Sequence, residues 1–315
     1  MTLKSIFKGV SASACALILI ASVAIAQWEP SKPIKFYISF GVGGPLDTVA
    51  RVVAAELENQ TGWQVIPESR AGGGGVALAT QLAHGSTDGT AISMLVNMPI
   101  LINLVRKGDE LPFNLDSFTY LGSAATAEKG IIALADAPFS TIPELIEYAK
   151  ANDIVMGAAP GPELFVYNAL NNEADGNIRK LATEGSKEAL TFILGGQADV
   201  GFGAGTHFPY LDSGEIKVIA SINSERLTYA PDTPTLVEEG INLSIDPFFY
   251  IIAPQGLDTE AANALTQAIA GAVDSDAVRD VVNKLFQRDP TNYGPEGTRA
   301  RLEEGLVTVR NIFGK

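Results

Sequence analysis

The fold is decided by two neighbouring stretches, IKFYISFGVGGPLDTVARVVAAEL at residues 34–57 and WQVIPESRAGGGGVALATQLA at residues 63–83. Each predicts a β-strand, a glycine-containing loop and an amphipathic helix, because alternating apolar residues give way to apolar residues at helical spacing. Such a loop exposes backbone N–H groups beside a helix N-terminus, and together these attract an anion. Two of these units in succession indicate binding of a small carboxylate.

The first strand is predicted to bury one face. Its apolar residues Ile34, Phe36, Ile38 and Phe40 alternate with Lys35, Tyr37 and Ser39, which are expected to face outward.

Strands and helices alternate along the rest of the chain, which is typical of an α/β fold with mainly parallel sheets. Further strands are predicted in TAISMLVNM, GIIALA, IVMGAA, IKVIASI and FFYIIAP, and further helices in ELIEYAKAN, EALTFIL and the C-terminal segments. A length of 315 residues suits two domains, and a hydrophobic content of 46% is enough for two cores.

Residues 1–26 are predicted to be a signal peptide cleaved after Ala26. Lys4 and Lys8 precede an apolar stretch, ACALILIASVAIA, that ends in small residues. A membrane anchor is the alternative, but the stretch is short of the roughly 20 residues that span a bilayer. A lipid anchor on Cys15 is disfavoured because Cys15 lies inside the apolar stretch. Cleavage removes the single cysteine, so we expect neither a disulfide nor thiol chemistry.

The chain is acidic, with a formal net charge of −14, or about −16 once Lys4 and Lys8 are removed. An acidic surface argues against binding nucleic acid or anionic lipid. An anion site must then act locally, through oriented backbone dipoles.

Six segments carry a resemblance to a known family: KPIKFYISFGVGGPLDTVAR, VIPESRAGGGGVALA, DGTAISML, LTFILGGQADV, RLTYAPDTPTLVEEG and IIAPQGLD. In this order they resemble the substrate-binding proteins of the tripartite tricarboxylate transporter family, also called the Bug or TctC family. The resemblance implies a periplasmic solute-binding protein that delivers a small carboxylate to a membrane permease. It also implies a type II-like periplasmic-binding-protein fold: two α/β domains with mixed, mainly parallel sheets, a central ligand cleft and a two-strand hinge.

The expected domains are residues 27–125 with 250–315, and residues 126–249. Strands near residues 120–132 and 246–253 are expected to connect them, and the second domain is expected to close over the ligand. We expect a monomer.

The family's first loop is usually richer in glycine and carries a threonine before its aspartate. Here Gly43, Gly44 and Asp47 match, whereas Pro45 and Leu46 replace the usual glycine and threonine. The backbone N–H groups near Leu46 and Asp47 are expected to bind a carboxylate, and Asp47 to cap free N–H groups of the helix. The loss of the hydroxyl indicates a ligand less polar than citrate. The alternative is a tight turn without a ligand.

In the second loop, Gly73 to Gly75 are expected to form a second backbone cradle that faces the first. Arg70 is expected either to contact the ligand or, as the favoured interpretation, to pair with Glu68 or Asp47.

The predicted second domain departs most from the family. The loop at residues 157–163 lacks the usual hydroxyls and carries Glu163, which either accepts hydrogen bonds from a ligand or points to solvent. The family's aspartate has no equivalent in residues 201–205. His207 either donates to the ligand or is a structural hydrogen-bonding residue. Phe248 replaces a usual tryptophan, so an apolar or aromatic acid is one hypothesis for the ligand.

The residues predicted to bind ligand are Gly43, Gly44, Leu46, Asp47, Gly73, Gly74, Gly75, Asn97, Ala158, Ala159, Glu163, Gly203, His207 and Phe248.

Catalytic chemistry is not indicated. The sequence has neither a G-x-S-x-G elbow nor a P-loop, and its two histidines are too few for a histidine-based metal cluster. We expect no catalytic residue, metal or cofactor. Two alternatives stay open: a binding protein that reports to a sensor kinase and, less favoured, an exported carboxylate-processing enzyme.

Overall fold

A computed structural model describes residues 28–159 and 161–313, so the predicted signal peptide lies outside the described residues. The strands are β1 (Ile34–Ile38), β2 (Val65–Ser69), β3 (Ala91–Val96), β4 (Phe118–Thr126), β5 (Gly130–Leu134), β6 (Ile154–Ala158), β7 (Ile178–Ala182), β8 (Val200–Gly203), β9 (Ile216–Ser221) and β10 (Phe248–Pro254). The α-helices are α1 (Pro45–Thr61), α2 (Val76–Ala83), α3 (Asn97–Lys107), α4 (Ile142–Ala151), α5 (Pro162–Glu173), α6 (Ser186–Leu194), α7 (Phe208–Asp212), α8 (Thr259–Val273), α9 (Asp276–Phe286) and α10 (Gly294–Ile312). Within this part of the chain, no helix is both long and apolar enough to cross a membrane.

The strands form two five-stranded mixed sheets with one common plan. Their orders are β2-β1-β3-β10-β4 and β7-β6-β8-β5-β9. In each sheet the first three strands run parallel, and the remaining neighbours pair antiparallel. The chain leaves the first sheet after β4, builds the whole second sheet and returns with β10. It therefore crosses between the sheets at residues 127–129 and 222–247, which we call the crossing segments.

Strand β1 is buried on both faces from Phe36 onward, so the prediction that Tyr37 and Ser39 face outward is wrong, whereas Lys35 is exposed as predicted. Tyr37 is only 7% exposed and Ser39 only 1%. The Arg70 guanidinium lies over the Tyr37 ring, 4.3 Å from its centroid, and the backbone of Gly75 lies over Ser39. Because β1 lies between two parallel strands in a sheet covered by helices, both of its faces are enclosed.

Helix α1 begins as the glycine loop ends. Gly44 adopts the extended conformation of an N-cap and Pro45 takes the first helical position, where a missing N–H costs nothing. The helix ends at Gly62, whose left-handed conformation closes it. Val49 and Val53 lie on its buried face, which packs toward α8 and α9. The helix therefore holds the loop rigidly above the end of β1.

Two helices begin inside segments that the sequence assigns otherwise. Asn97 and Met98, predicted as the end of a strand, open α3. Helix α5 begins at Pro162, inside the predicted small-residue loop at 157–163. The apolar run of β3 continues past Asn97 into α3, which is why periodicity alone overextends the strand.

Candidate ligand-binding site

Parallel strands bring loops together at one edge of each sheet. The carboxyl ends of β1, β2 and β3 meet at an edge that carries residues 39–47 and 70–76 and Asn97, which we call the first edge. The carboxyl ends of β6, β7 and β8 form the second edge, which carries residues 159, 161–163, 183–185 and 204–207. Ligands of open α/β sheets bind outside the carboxyl ends of the strands. These edges are therefore the candidate site.

The first loop offers backbone donors. Gly43 has a φ of 83° and is solvent-exposed. The N–H groups of Leu46 and Asp47 precede the first intrahelical donor of α1, the Thr48 N–H, which donates to the Gly44 carbonyl at 2.9 Å. The Leu46 side chain is buried, so only its backbone is available to a ligand.

The Asp47 carboxylate is used within the domain. It accepts hydrogen bonds from the Gly43 N–H at 3.0 Å, from Arg51 Nε at 2.9 Å and from Ser69 Oγ at 2.6 Å. Burial raises the pKa of Asp47, but these three hydrogen bonds outweigh it and lower the pKa to about 2. The prediction that Asp47 caps the helix is wrong: Gly44 is the N-cap, and the N–H that Asp47 accepts lies in the loop before it.

The second loop is a single 3₁₀ turn at Gly73–Gly75, with positive φ at all three glycines. A Cβ on Gly74 would lie 2.7 Å from Pro99 Cβ, and one on Gly75 would lie 3.1 Å from Ser39 Cβ. The N–H of Gly75 already donates to the Gly72 carbonyl at 3.0 Å. The donors left for a cradle are therefore those of Gly73 and Gly74.

Arg70 is held by its own domain, in agreement with the favoured interpretation. Its guanidinium pairs with Glu68 at 3.0 Å and donates to Gln81 Oε1 at 2.6 Å. The partner of Asp47 is Arg51 instead.

Glu163 on the second edge is buried, so the interpretation that it points to solvent is wrong. Its Oε1 accepts from Lys129 Nζ at 2.6 Å, and its Oε2 accepts from the Ala159 N–H at 2.8 Å. The Ala158 side chain is buried beneath this loop. Both carboxylate oxygens of Glu163 thus have a partner within the protein. The Ala159 N–H, which was predicted to be available to a ligand, is bonded to Glu163 as well.

His207 is fully buried, and neither ring nitrogen has a hydrogen-bond partner among the described residues. Its ring packs against Phe208 at 4.6 Å and Tyr229 at 5.3 Å between centroids. Burial lowers the pKa of His207 to about 4. Gly203 makes room for it, since a Cβ there would lie 2.9 Å from the imidazole. A structural hydrogen-bonding role is therefore wrong for this histidine.

Asn97 and Phe248 make contacts around the end of the 222–247 crossing segment, where it enters β10. The Asn97 side chain donates to the Asp246 carbonyl at 2.9 Å and accepts from the Phe248 N–H at 3.0 Å. The Phe248 ring packs against Tyr250 and Tyr293. Both residues hold the start of β10 at the first edge.

A second asparagine ties the crossing segments together. Asn223 accepts from the Lys129 N–H at 2.9 Å and donates to the Ala127 carbonyl at 3.2 Å and the Ile245 carbonyl at 3.0 Å. Beside this clamp lies a cavity of about 220 Å³, lined in part by Asn97, Phe248 and residues of α10. It is separate from the two glycine loops, which lie on the open first edge.

Sequence reasoning missed several polar groups at these edges. Buried polar atoms are normally hydrogen-bonded, yet Ser39 Oγ, Thr126 Oγ1, Thr183 Oγ1 and Tyr229 OH have no partner within the described ranges. Ser39 and Thr183 each directly follow a strand, which is a signal that the sequence contains. Lys129 was missed because its partner is distant in sequence. No group of three or more His, Cys, Asp or Glu in this part of the chain is placed to hold a metal.

Comparison with known proteins gives one family. The model described as TctC, tripartite tricarboxylate transporter family receptor, matches residues 49–297. A UPF0065 protein in the gbd 5′ region of Cupriavidus necator is 28% identical over 296 residues, covering 90% of this chain and 87% of its own length. A TctC solute-binding protein from Polaromonas has the same fold, with a TM-score of 0.77 at 20% identity, covering 90% of this chain and 99% of its own. MatC from Rhodopseudomonas palustris with bound malate has a TM-score of 0.69 at 22% identity, covering 90% and 99%. The predicted two-domain α/β fold is confirmed.

Proposed function

The chain belongs to the tripartite tricarboxylate transporter receptor family, and from this premise we propose that it is a periplasmic solute-binding protein that captures a small carboxylate between two domains. The observation that carries the proposal is the first edge, where two glycine loops place bare backbone and free N–H groups side by side. Oriented N–H groups and the start of α1 attract a carboxylate without any basic side chain. This suits a chain whose overall charge is strongly negative.

The proposed domains are residues 27–125 with 250–315, and residues 126–249. The N–H groups of Gly44, Leu46, Asp47, Gly73 and Gly74 bind the carboxylate. Residues 159 and 161–163, with Gly203 and His207, approach from the other domain. Asn97 and Phe248 position the hinge.

Capture proceeds by closure about the crossing segments. Gly205 of the second domain already lies against the Leu285 carbonyl at the end of α9, since a Cβ on it would be 2.7 Å away. A helix-terminus interaction is worth about 0.3–2 kcal/mol, so several N–H bonds and the exclusion of water must act together to shift the population toward the closed state. The closed face is then recognised by membrane permease subunits of the tripartite tricarboxylate type.

The malate bound by MatC is a small carboxylate, which supports this class of ligand for the chain. We expect the protein to return its ligand unchanged; among the described residues, no group of three or more His, Cys, Asp or Glu is placed to hold a metal.

Calorimetric titration of protein purified from a periplasmic fraction tests the proposal. Succinate, adipate, hexanoate and benzoate are each titrated beside the corresponding amide. One carboxylate class should bind while its amide does not, and the acid should be recovered unaltered by mass spectrometry. Equal binding of acid and amide would exclude an anion cradle, and conversion of the acid would identify an enzyme.

Export is tested separately by N-terminal sequencing of that protein. The proposal expects the mature chain to begin at Gln27. Recovery of the intact leader in the membrane fraction would instead show an anchored protein.

A further inference from the structure

The two edges differ in the donors that they leave for a ligand. On the first edge, Pro45 is the one residue of the 41–47 loop without an N–H, and every residue of the 72–75 loop has an N–H. On the second edge, Pro160 and Pro162 both lack an N–H. The N–H of Ala159 is already bonded to Glu163. The loop that opens α5 therefore offers fewer backbone donors than the loop that opens α1, where the Gly43 N–H is likewise engaged, by Asp47.

Glu163 stands where an anion would bind on the second edge. Its side chain is 4% exposed and lies at the N-terminus of α5, at the carboxyl end of the central parallel strand β6. Its two oxygens make charge-assisted contacts of 2.6 Å and 2.8 Å with Lys129 Nζ and the Ala159 N–H. These are the contacts that a ligand carboxylate makes at such a place. The protein supplies the carboxylate itself.

We propose that Glu163 takes the place of a second ligand carboxylate, so that this protein selects an acid with one carboxylate held by the first edge and a neutral far end. The inference rests on the proposed function. A second carboxylate near this loop would meet the Glu163 oxygens, whose donors are already engaged, and like charges repel. The other polar groups there, the Thr183 hydroxyl and the His207 imidazole, are uncharged at neutral pH.

Acids of equal chain length test this selection. Hexanoate is titrated against adipate, and butanoate against succinate, into the wild type and Glu163→Ala. The wild type should bind the monocarboxylate of the tighter-binding pair at least tenfold more tightly than its dicarboxylate. In Glu163→Ala the Ala159 N–H and Lys129 Nζ are released, so the dicarboxylate should gain at least about tenfold relative to the monocarboxylate, as expected for one hydrogen bond to a charged group.

A second variant and a control guard against loss of folding. Glu163→Gln keeps the size of the side chain and one acceptor, and should shift the preference in the same direction by a smaller factor. Glu144→Gln is the matched control, because Glu144 also lies in the first turn of a helix, α4, and accepts the N–H of the residue four positions earlier, Ser140, at 2.7 Å, outside both edges and the crossing segments. It should leave the preference unchanged. Circular dichroism checks that each variant is folded.

Tighter binding of adipate or succinate by the wild type would overturn the inference and leave the proposed function standing. An unchanged preference in both Glu163 variants, or an equal shift in Glu144→Gln, would also overturn it. Failure of all four acids to bind any of the proteins would overturn the proposed function, and the inference with it.

Discussion

The two edges are built from the same local pattern and use it in opposite ways. In each, a glycine caps a helix that begins with proline, and an acidic residue in the first turn accepts the N–H of the residue four positions earlier: Asp47 from Gly43, and Glu163 from Ala159. Asp47 accepts a hydrogen bond from Arg51, one turn further along its own helix. Glu163 instead reaches Lys129 in a crossing segment. Asp47 thus stabilises a loop that stays open to an anion. Glu163 occupies the position of the anion and connects its loop to the crossing segment.

The largest expected effect comes from the clamp of the crossing segments. Asn223→Ala leaves two buried carbonyls and one N–H without partners, so the free energy of unfolding should fall by about 4 kcal/mol. Asn97→Ala, which loses two hydrogen bonds at the first edge, should cost about 2 kcal/mol. Urea denaturation measures both, and the exposed Asn152→Ala is the control. An equal loss in all three variants would mean that the clamp has no special role.

His207 on the second edge should make stability depend on pH between 6.5 and 4. Burial lowers its pKa from 6.5 to about 4, so the unfolded state binds a proton that the folded state excludes. The contribution of this residue is neutral above pH 6.5, and about 3 kcal/mol is lost as pH falls to 4. Urea unfolding at stepped pH should show this slope in the wild type and not in His207→Phe. Parallel profiles of the two proteins would show that His207 does not titrate in this way.

Asp47 on the first edge should act at lower pH and with a smaller effect. Its pKa is lowered from 3.8 to about 2, so its stabilisation is present above pH 3.8 and is lost as pH falls through 2. The loss amounts to about 2 kcal/mol. The difference in unfolding free energy between the wild type and Asp47→Asn should shrink from pH 5 to pH 2. A constant difference across this range would contradict the assigned ion pair.

The smallest effect on stability is expected at Gly44. Its φ of −77° is open to any residue, and a Cβ would meet only the Gly41 carbonyl at 3.6 Å. Gly44→Ala should therefore change the unfolding free energy by less than about 0.5 kcal/mol. Carboxylate affinity should fall by about tenfold, because a methyl group stands where the acid approaches the backbone.

Gly195→Ala is the control for Gly44. It also places a methyl group at a helix-terminal glycine with ordinary φ, but at the end of α6 away from both edges. Calorimetry should find its carboxylate affinity equal to that of the wild type. Equal affinities for Gly44→Ala and the wild type would show that the ligand does not approach this backbone.

Much of the fold was readable from local pattern. The helices in ELIEYAKAN and EALTFIL and the strand in FFYIIAP lie where predicted. Errors arose where burial came from distant neighbours. Tyr37 and Ser39 read as outward-facing residues, but Arg70 and Gly75 from the next unit cover them.

By itself, the sequence determined the two strand–glycine–helix units and the open backbone of the first edge, because periodicity, glycine and proline act within a few residues of the chain. Only the tertiary structure decided what the charged groups do. Asp47 binds Ser69, 22 residues away, and Glu163 binds Lys129, 34 residues away. The sequence shows which side chains carry charge. Whether such a charged group is available to a ligand or is already paired within the protein depends on which residue the fold brings next to it.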